Sequence, residues 1–133
     1  LVVGTVLGSV GTRVLGGEPE TRIQVVAQAK LDPLPADPAA NGEAKIVQAG
    51  GVRTLTVDTS KLAATDGFYE VWLIDASVKK MIPVGILDGS TGTFTIPPGV
   101  DLGQYPVVDI SAEPLDGNPT HSGKSLLRGV IPG

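Results

Sequence analysis

Cysteine is absent from the chain. That excludes a disulfide framework and a thiolate metal site. Aromatic residues are scarce, with one Trp, two Tyr and two Phe, so the place where they gather marks the centre of the fold. Basic residues are outnumbered, 10 Lys and Arg against 14 Asp and Glu, and the net charge is −4. A nucleic-acid partner wants a basic face, and this balance argues against one. There is no Asn-x-Ser/Thr acceptor, because Pro119 follows Asn118 and Gly42-Glu43 follow Asn41. Long hydrophobic runs are missing too. Residues 1–12 are apolar and small before Arg13 interrupts them, and a bilayer crossing needs about 20 such residues.

What the chain does have is a single concentrated stretch, Phe68-Tyr69-Glu70-Val71-Trp72-Leu73-Ile74-Asp75. In a strand, Tyr69, Val71 and Leu73 share one face, and Phe68, Glu70, Trp72 and Ile74 share the other. Both faces are mainly apolar, which predicts a central strand covered on both sides, with Trp72 as core anchor. The rest of the chain is punctuated by 18 Gly and 11 Pro, which suits a β protein with many turns.

In order, residues 21–31 alternate Ile23, Val25, Ala27, Ala29 and Leu31 with more polar neighbours, as a half-buried strand does. The Pro-rich residues 32–42 predict an extended connection that crosses the fold. Gly50-Gly51 between two strand-like runs is a hairpin signal. Residues 61–67 predict one helical turn that Gly67 ends. Residues 81–88 form a strand in which Pro83 marks an edge or a bulge. Short strands follow at 93–96, 105–113 and 125–131, the second with Val107, Asp109 and Ser111 on one face. The expected architecture is all-β, an antiparallel β-sandwich of about seven or eight strands and Ig-like size. Residues 16–133 would form this domain. Residues 1–15 read either as a membrane-proximal or truncated transmembrane segment, with Gly4 and Gly8 as a small-residue helix contact, or as a β-strand.

Candidate chemistry is sparse. Residues 117–125 nearly spell a phosphate-binding loop, but one residue too many separates Gly117 from Gly123, and Pro119 removes an N–H. No length remains after Ser125 for the helix such a loop must open. His121, the sole histidine, would be the base of any Ser-His-Asp site, with Ser122 or Ser125 as nucleophile. There is no Gly-x-Ser-x-Gly elbow, and an exposed loop position is expected for it. Asp75, Asp109, Glu113 and Asp116 lack the close spacing of a calcium loop. Glu113, next to Pro114, is expected to accept backbone N–H bonds that fix the following loop. Asp75 and Asp88 read as turn residues at strand ends. No cofactor is expected.

One ordered set of segments does point to a family. Tyr69-Glu70-Val71-Trp72-Leu73-Ile74-Asp75, then the strand with Gly85, then Phe94-Thr95-Ile96-Pro97, then Val108-Asp109-Ile110-Ser111-Ala112-Glu113-Pro114, then the loop from Gly117 to Gly123 resembles the carboxy-terminal domain of the anti-sigma-K factors. Tyr69, Trp72, Asp75, Gly85, Glu113, Pro114, Gly117 and Gly123 carry the resemblance. The turn at 76–80 lacks the Gly often seen there, His121 and Lys124 stand where uncharged residues are usual, and residues 1–60 show no motif of the family. The resemblance implies a single-pass membrane protein with this domain outside the membrane. Its partners would be a sigma factor, held by a cytosolic domain outside this sequence, and a membrane protease that releases it. The signal sensed is not implied. Without that resemblance the alternative is a secreted or envelope β-sandwich that binds a ligand. A hydrolase is the poorest fit, with one His, no Cys and no nucleophile elbow.

Overall fold

Alternation of apolar and polar residues makes strands with one buried face, and this chain stacks such strands in antiparallel pairs. The structure, a computed structural model, describes residues 22–132 and the backbone of two short strands before them. Those two are β1 (Val14–Leu15) and β2 (Glu18–Pro19), which pair with each other. Eight further strands follow: β3 (Ile23–Pro33), β4 (Asn41–Ala49), β5 (Val52–Ser60), β6 (Phe68–Ile74), β7 (Met81–Leu87), β8 (Thr91–Thr95), β9 (Val107–Glu113) and β10 (Ser125–Val130). There is no helix among the described residues, and so none long and apolar enough to cross a membrane. Of residues 1–15, expected as a membrane segment or a strand, residues 1–13 lie outside the described residues and Val14–Leu15 form β1.

The eight strands form one antiparallel sheet in the order β7-β6-β9-β10-β3-β4-β5-β8. Its weakest seam is between β10 and β3, where only Leu127↔Pro33 and Arg128↔Asp32 pair. The seam divides the sheet into two halves whose inner faces enclose one core. Leu31, Ala44, Ile46, Leu55 and Val57 come from one half, and Val71, Leu73, Val108, Ile110 and Leu127 from the other. The all-β expectation holds, and the sandwich is refined to a single, nearly closed sheet.

The two outer edges, β7 and β8, meet around Gly85. A Cβ on Gly85 would lie 2.5 Å from the Phe94 ring, so the missing side chain is what lets the phenyl group fold over this edge. Pro83 sits on the β7 edge beside a bulge, where its missing N–H costs no ladder bond. Gly50 and Gly51 both have positive φ, 58° and 80°, the type I′ geometry that suits the right-handed twist of β4 and β5.

Two local expectations are corrected. Residues 34–40 do not cross the fold; β3 and β4 are paired neighbours, and the Pro-rich stretch turns locally between them. Residues 61–67 make no helical turn. The Ala63 N–H is taken by the buried Asp37 carboxylate at 2.6 Å, and its carbonyl by the Tyr69 hydroxyl. Both groups are then lost to any helical ladder.

Candidate functional site

Strand β9 is buried along its whole length. Period-2 alternation sends Val108, Ile110 and Ala112 to one face and Asp109, Ser111 and Glu113 to the other. The second, polar face is as dry as the first: Asp109 is 0% exposed, Ser111 0% and Glu113 3%. What covers it is the loop of residues 114–124 between β9 and β10, together with Trp72. Buried polar groups at such depth must be partnered, and these are.

Asp109 lies opposite Arg128 in the β9–β10 ladder and opposite Trp72 in the β9–β6 ladder. Its Oδ2 accepts the Arg128 Nε–H at 2.9 Å and lies within ion-pair distance of Nη2, 2.8 Å, and its Oδ1 faces His121 Nε2 at 3.0 Å. Ser111 accepts the Trp72 indole N–H at 2.9 Å and donates to Glu113 Oε2 at 2.6 Å. Both Glu113 oxygens accept the Ser122 N–H, each at 3.1 Å. The Ser122 hydroxyl donates to the Ala112 carbonyl at 2.7 Å and accepts the Lys124 N–H at 3.0 Å. Gly123 donates its N–H to His121 Nδ1 at 2.8 Å. That bond requires a lone pair on Nδ1, so the ring proton sits on Nε2 and points at Asp109.

The expectation of an exposed loop histidine is therefore corrected. The His121 side chain is 6% exposed, and its ring lies 4.7 Å from Trp72, tilted by 46°. Carboxylate and aromatic partners hold it there, and the position in a loop gave no sign of either. The geometry is no relay. A triad needs its acid on one ring nitrogen and its hydroxyl on the other. Here Asp109 and Ser125 both approach Nε2, at 3.0 and 3.5 Å, while Nδ1 is held by the main chain. A phosphate cradle is equally excluded, because the N–H groups of Ser122, Gly123 and Lys124 all bind side chains of the chain itself. Ser125 then opens a strand rather than a helix.

The residues that carried the family resemblance separate into several places. Trp72, Glu113, Pro114, Gly117 and Gly123 come together at the polar face and its loop. Glu113 does fix the loop through a backbone N–H, as the sequence suggested. Trp72 is buried but belongs to a small outer cluster with Ile74 and Val107, apart from the main core. Tyr69 points inward and packs against that core. Gly85 lies on the opposite strand edge. Asp75 closes the far end of β6, where its carboxylate accepts the N–H groups of Lys79 and Lys80 at 2.7 and 2.8 Å and the Ser77 hydroxyl at 2.6 Å. The Ser77 bond, then the two backbone bonds, lower its pKa to about 2. Glu70, opposite Ser111, has its pKa raised, first by burial and then by the Glu113 charge, with His121 acting against both.

Sequence reasoning missed Arg128 and underrated Asp109. The shared parity of Asp109, Ser111 and Glu113 on a strand otherwise apolar was the signal available. Among the described residues no cluster of His, Asp and Glu forms a metal site.

The fold and the site define an all-β domain whose buried polar groups bind one another and one long loop. Residues 1–125 match the family described as anti-sigma-K factor rskA, C-terminal, and the chain belongs to that family. The match reaches well beyond residues 68–123, into the first part of the chain where no motif was legible. No curated protein and no solved structure matches the chain.

Proposed function

We propose that this is the extracytoplasmic regulatory domain of a membrane-anchored anti-sigma factor, which controls transcription by governing proteolytic release of its sigma factor. The family match over residues 1–125 carries the reading. The physical part played by the domain is to shield neighbouring backbone from a membrane protease. A protease cuts a folded protein through its locally opened states, so its access is set by how tightly the segments are tied. The polar face supports such a part: its hydrogen bonds hold a long surface loop against the sheet.

The test is to isolate the native protein from its source cells with and without detergent, sequence its amino terminus and identify what co-purifies. A detergent-requiring protein with a cytosolic domain ahead of Leu1, bound to a sigma factor, is the expected result. A detergent-independent protein beginning near Leu1, with no sigma factor, would overturn it in favour of a secreted envelope module.

A further inference from the structure

Strand pairing decides which loops share an end of the sheet. Ile23, at the start of β3, lies opposite Ala49 of β4, and Ala49 opposite Val52 of β5. Val130 closes β10 opposite Val107, where β9 begins. Val107 in turn lies opposite Ile74, and Ile74 opposite Met81, where β7 begins. Because β10 runs antiparallel to β3, all these positions fall on one rim. Of the eight exposed large apolar side chains among the described residues, five stand there: Ile23, Val52, Val78, Met81 and Val130. Single exposed apolar residues are ordinary, but a gathering at one end marks an interaction surface.

Two of the loops are fixed so as to present such groups. Val78 has φ 58°, a left-handed backbone in which a β-branched residue is strained and Asn is not. Asp75 holds the turn all the same: its carboxylate accepts the N–H groups of Lys79 and Lys80, and its carbonyl that of Val78. Strain enforced in this way is a mark of function. Beside Val52, Arg53 clamps the loop after β8 through the carbonyls of Pro97, Pro98 and Val100. That loop offers an exposed, uncharged run, Pro97-Pro98-Gly99.

Charge separates along the same axis. Arg22, Arg53, Lys79 and Lys80 stand at this rim against Asp75 and Asp101, in a chain whose net charge is −4. The loops at the other end carry Asp37, Asp66, Asp88 and Asp116 against Lys61 and Lys124. Apolar tips on separate turns, backed by cations, match a lipid surface. Its acyl boundary takes the tips and its anionic headgroups take the cations. In the sequence the apolar residues 1–12 precede Arg22 and Ile23, so the chain comes to this rim from that stretch.

We propose that this rim, through Val52, Val78, Met81 and the 97–99 loop with Arg22, Lys79 and Lys80, docks the folded domain on a bilayer that carries anionic lipid. The folded domain itself makes the contact, so the inference goes beyond the anchor of the regulatory reading and needs neither sigma factor nor protease.

The test uses the 133-residue chain and phosphatidylcholine vesicles with and without phosphatidylglycerol. Binding should require phosphatidylglycerol and weaken with salt. Spin-labelled lipid should broaden the amide signals of Gly51, Val78 and Gly99 and spare those of Gly89 and Gly117 at the far end. Val78→Asn relaxes the strained backbone, so the variant should fold at least as well, yet bind about tenfold more weakly by losing an apolar tip. Lys79→Glu and Lys80→Glu should each cost at least about fivefold. Leu115→Asn, at the far end, should change nothing. Residues 1–12 are present in every variant, so differences between variants report the rim. Equal broadening at both ends overturns the proposal. So does undiminished binding by Val78→Asn and the lysine variants, or a concentration-dependent dimer formed through this rim without vesicle binding. Each of these failures leaves the regulatory reading standing.

Discussion

The two faces of β9 are buried to the same degree and held by different forces. On the inner face Val108, Ile110 and Ala112 meet the core, where attraction is non-directional and scales with the area removed from water. On the outer face Asp109, Ser111 and Glu113 are tied to Arg128, His121, Trp72 and Ser122 by bonds whose distances and angles must be met one by one. The inner face sets whether the sheet forms. The outer face sets where one loop lies, because a directional bond specifies a position that an apolar contact does not.

This contrast can be broken at several points. The largest effect is expected inside: Ile110→Ala leaves a cavity and should lower stability by about 2–5 kcal/mol, measured by urea unfolding. Trp72 emission of the folded protein should barely change, since Ile110 faces away from it. Ser111→Ala should cost less, about 1–3 kcal/mol, by leaving the Trp72 indole N–H without its acceptor. Here the folded-state emission should shift. An Ile110→Ala protein with a disturbed Trp72, or a Ser111→Ala protein with an undisturbed one, would show that the faces are not separable.

Two carboxylates sharpen the comparison through pH. Asp75 has a depressed pKa, so its contribution to stability is present above the ordinary aspartate range and is lost as pH falls through about 2. Asp75→Ala should therefore be less stable than the parent at neutral pH, and the gap should narrow between about pH 4 and 2. Thermal melts across that window test it. Glu70 has the opposite sign. Its pKa is raised, so its charge opposes folding at neutral pH and the penalty disappears once the group is protonated. Glu70→Gln should give a slightly more stable protein at neutral pH, with the advantage vanishing as the pH falls below the ordinary glutamate range. This is the smallest effect expected, because the side chain is only partly buried.

Much of the fold was legible because strand patterning is local. The β4–β5 hairpin followed from Gly50-Gly51, the β7 edge from Pro83, and the two covered faces of β6 from the residues around Trp72. One error arose where a side chain captured a backbone group. Asp37 and Tyr69 take the N–H and the carbonyl of Ala63, and the helical turn expected there does not form. At the candidate site, Glu113 was legible as a loop-fixing carboxylate because turn chemistry is also local. Arg128 was not, since its role depends on lying opposite Asp109 across a ladder.

The sequence by itself determined an all-β chain, its strand positions, the faces each strand presents and a resemblance that the family match then extended over residues 1–125. The strand positions and faces follow from spacing along the chain, which a period of two makes readable; the resemblance rests on the ordered motifs between residues 68 and 123. Only the tertiary structure decided that the halves join into one nearly closed sheet, that Trp72 stands outside the main core, and that His121 is buried on Asp109 with its Nδ1 given to Gly123. Those outcomes depend on which strands become neighbours and on hydrogen bonds that only their pairing brings within reach.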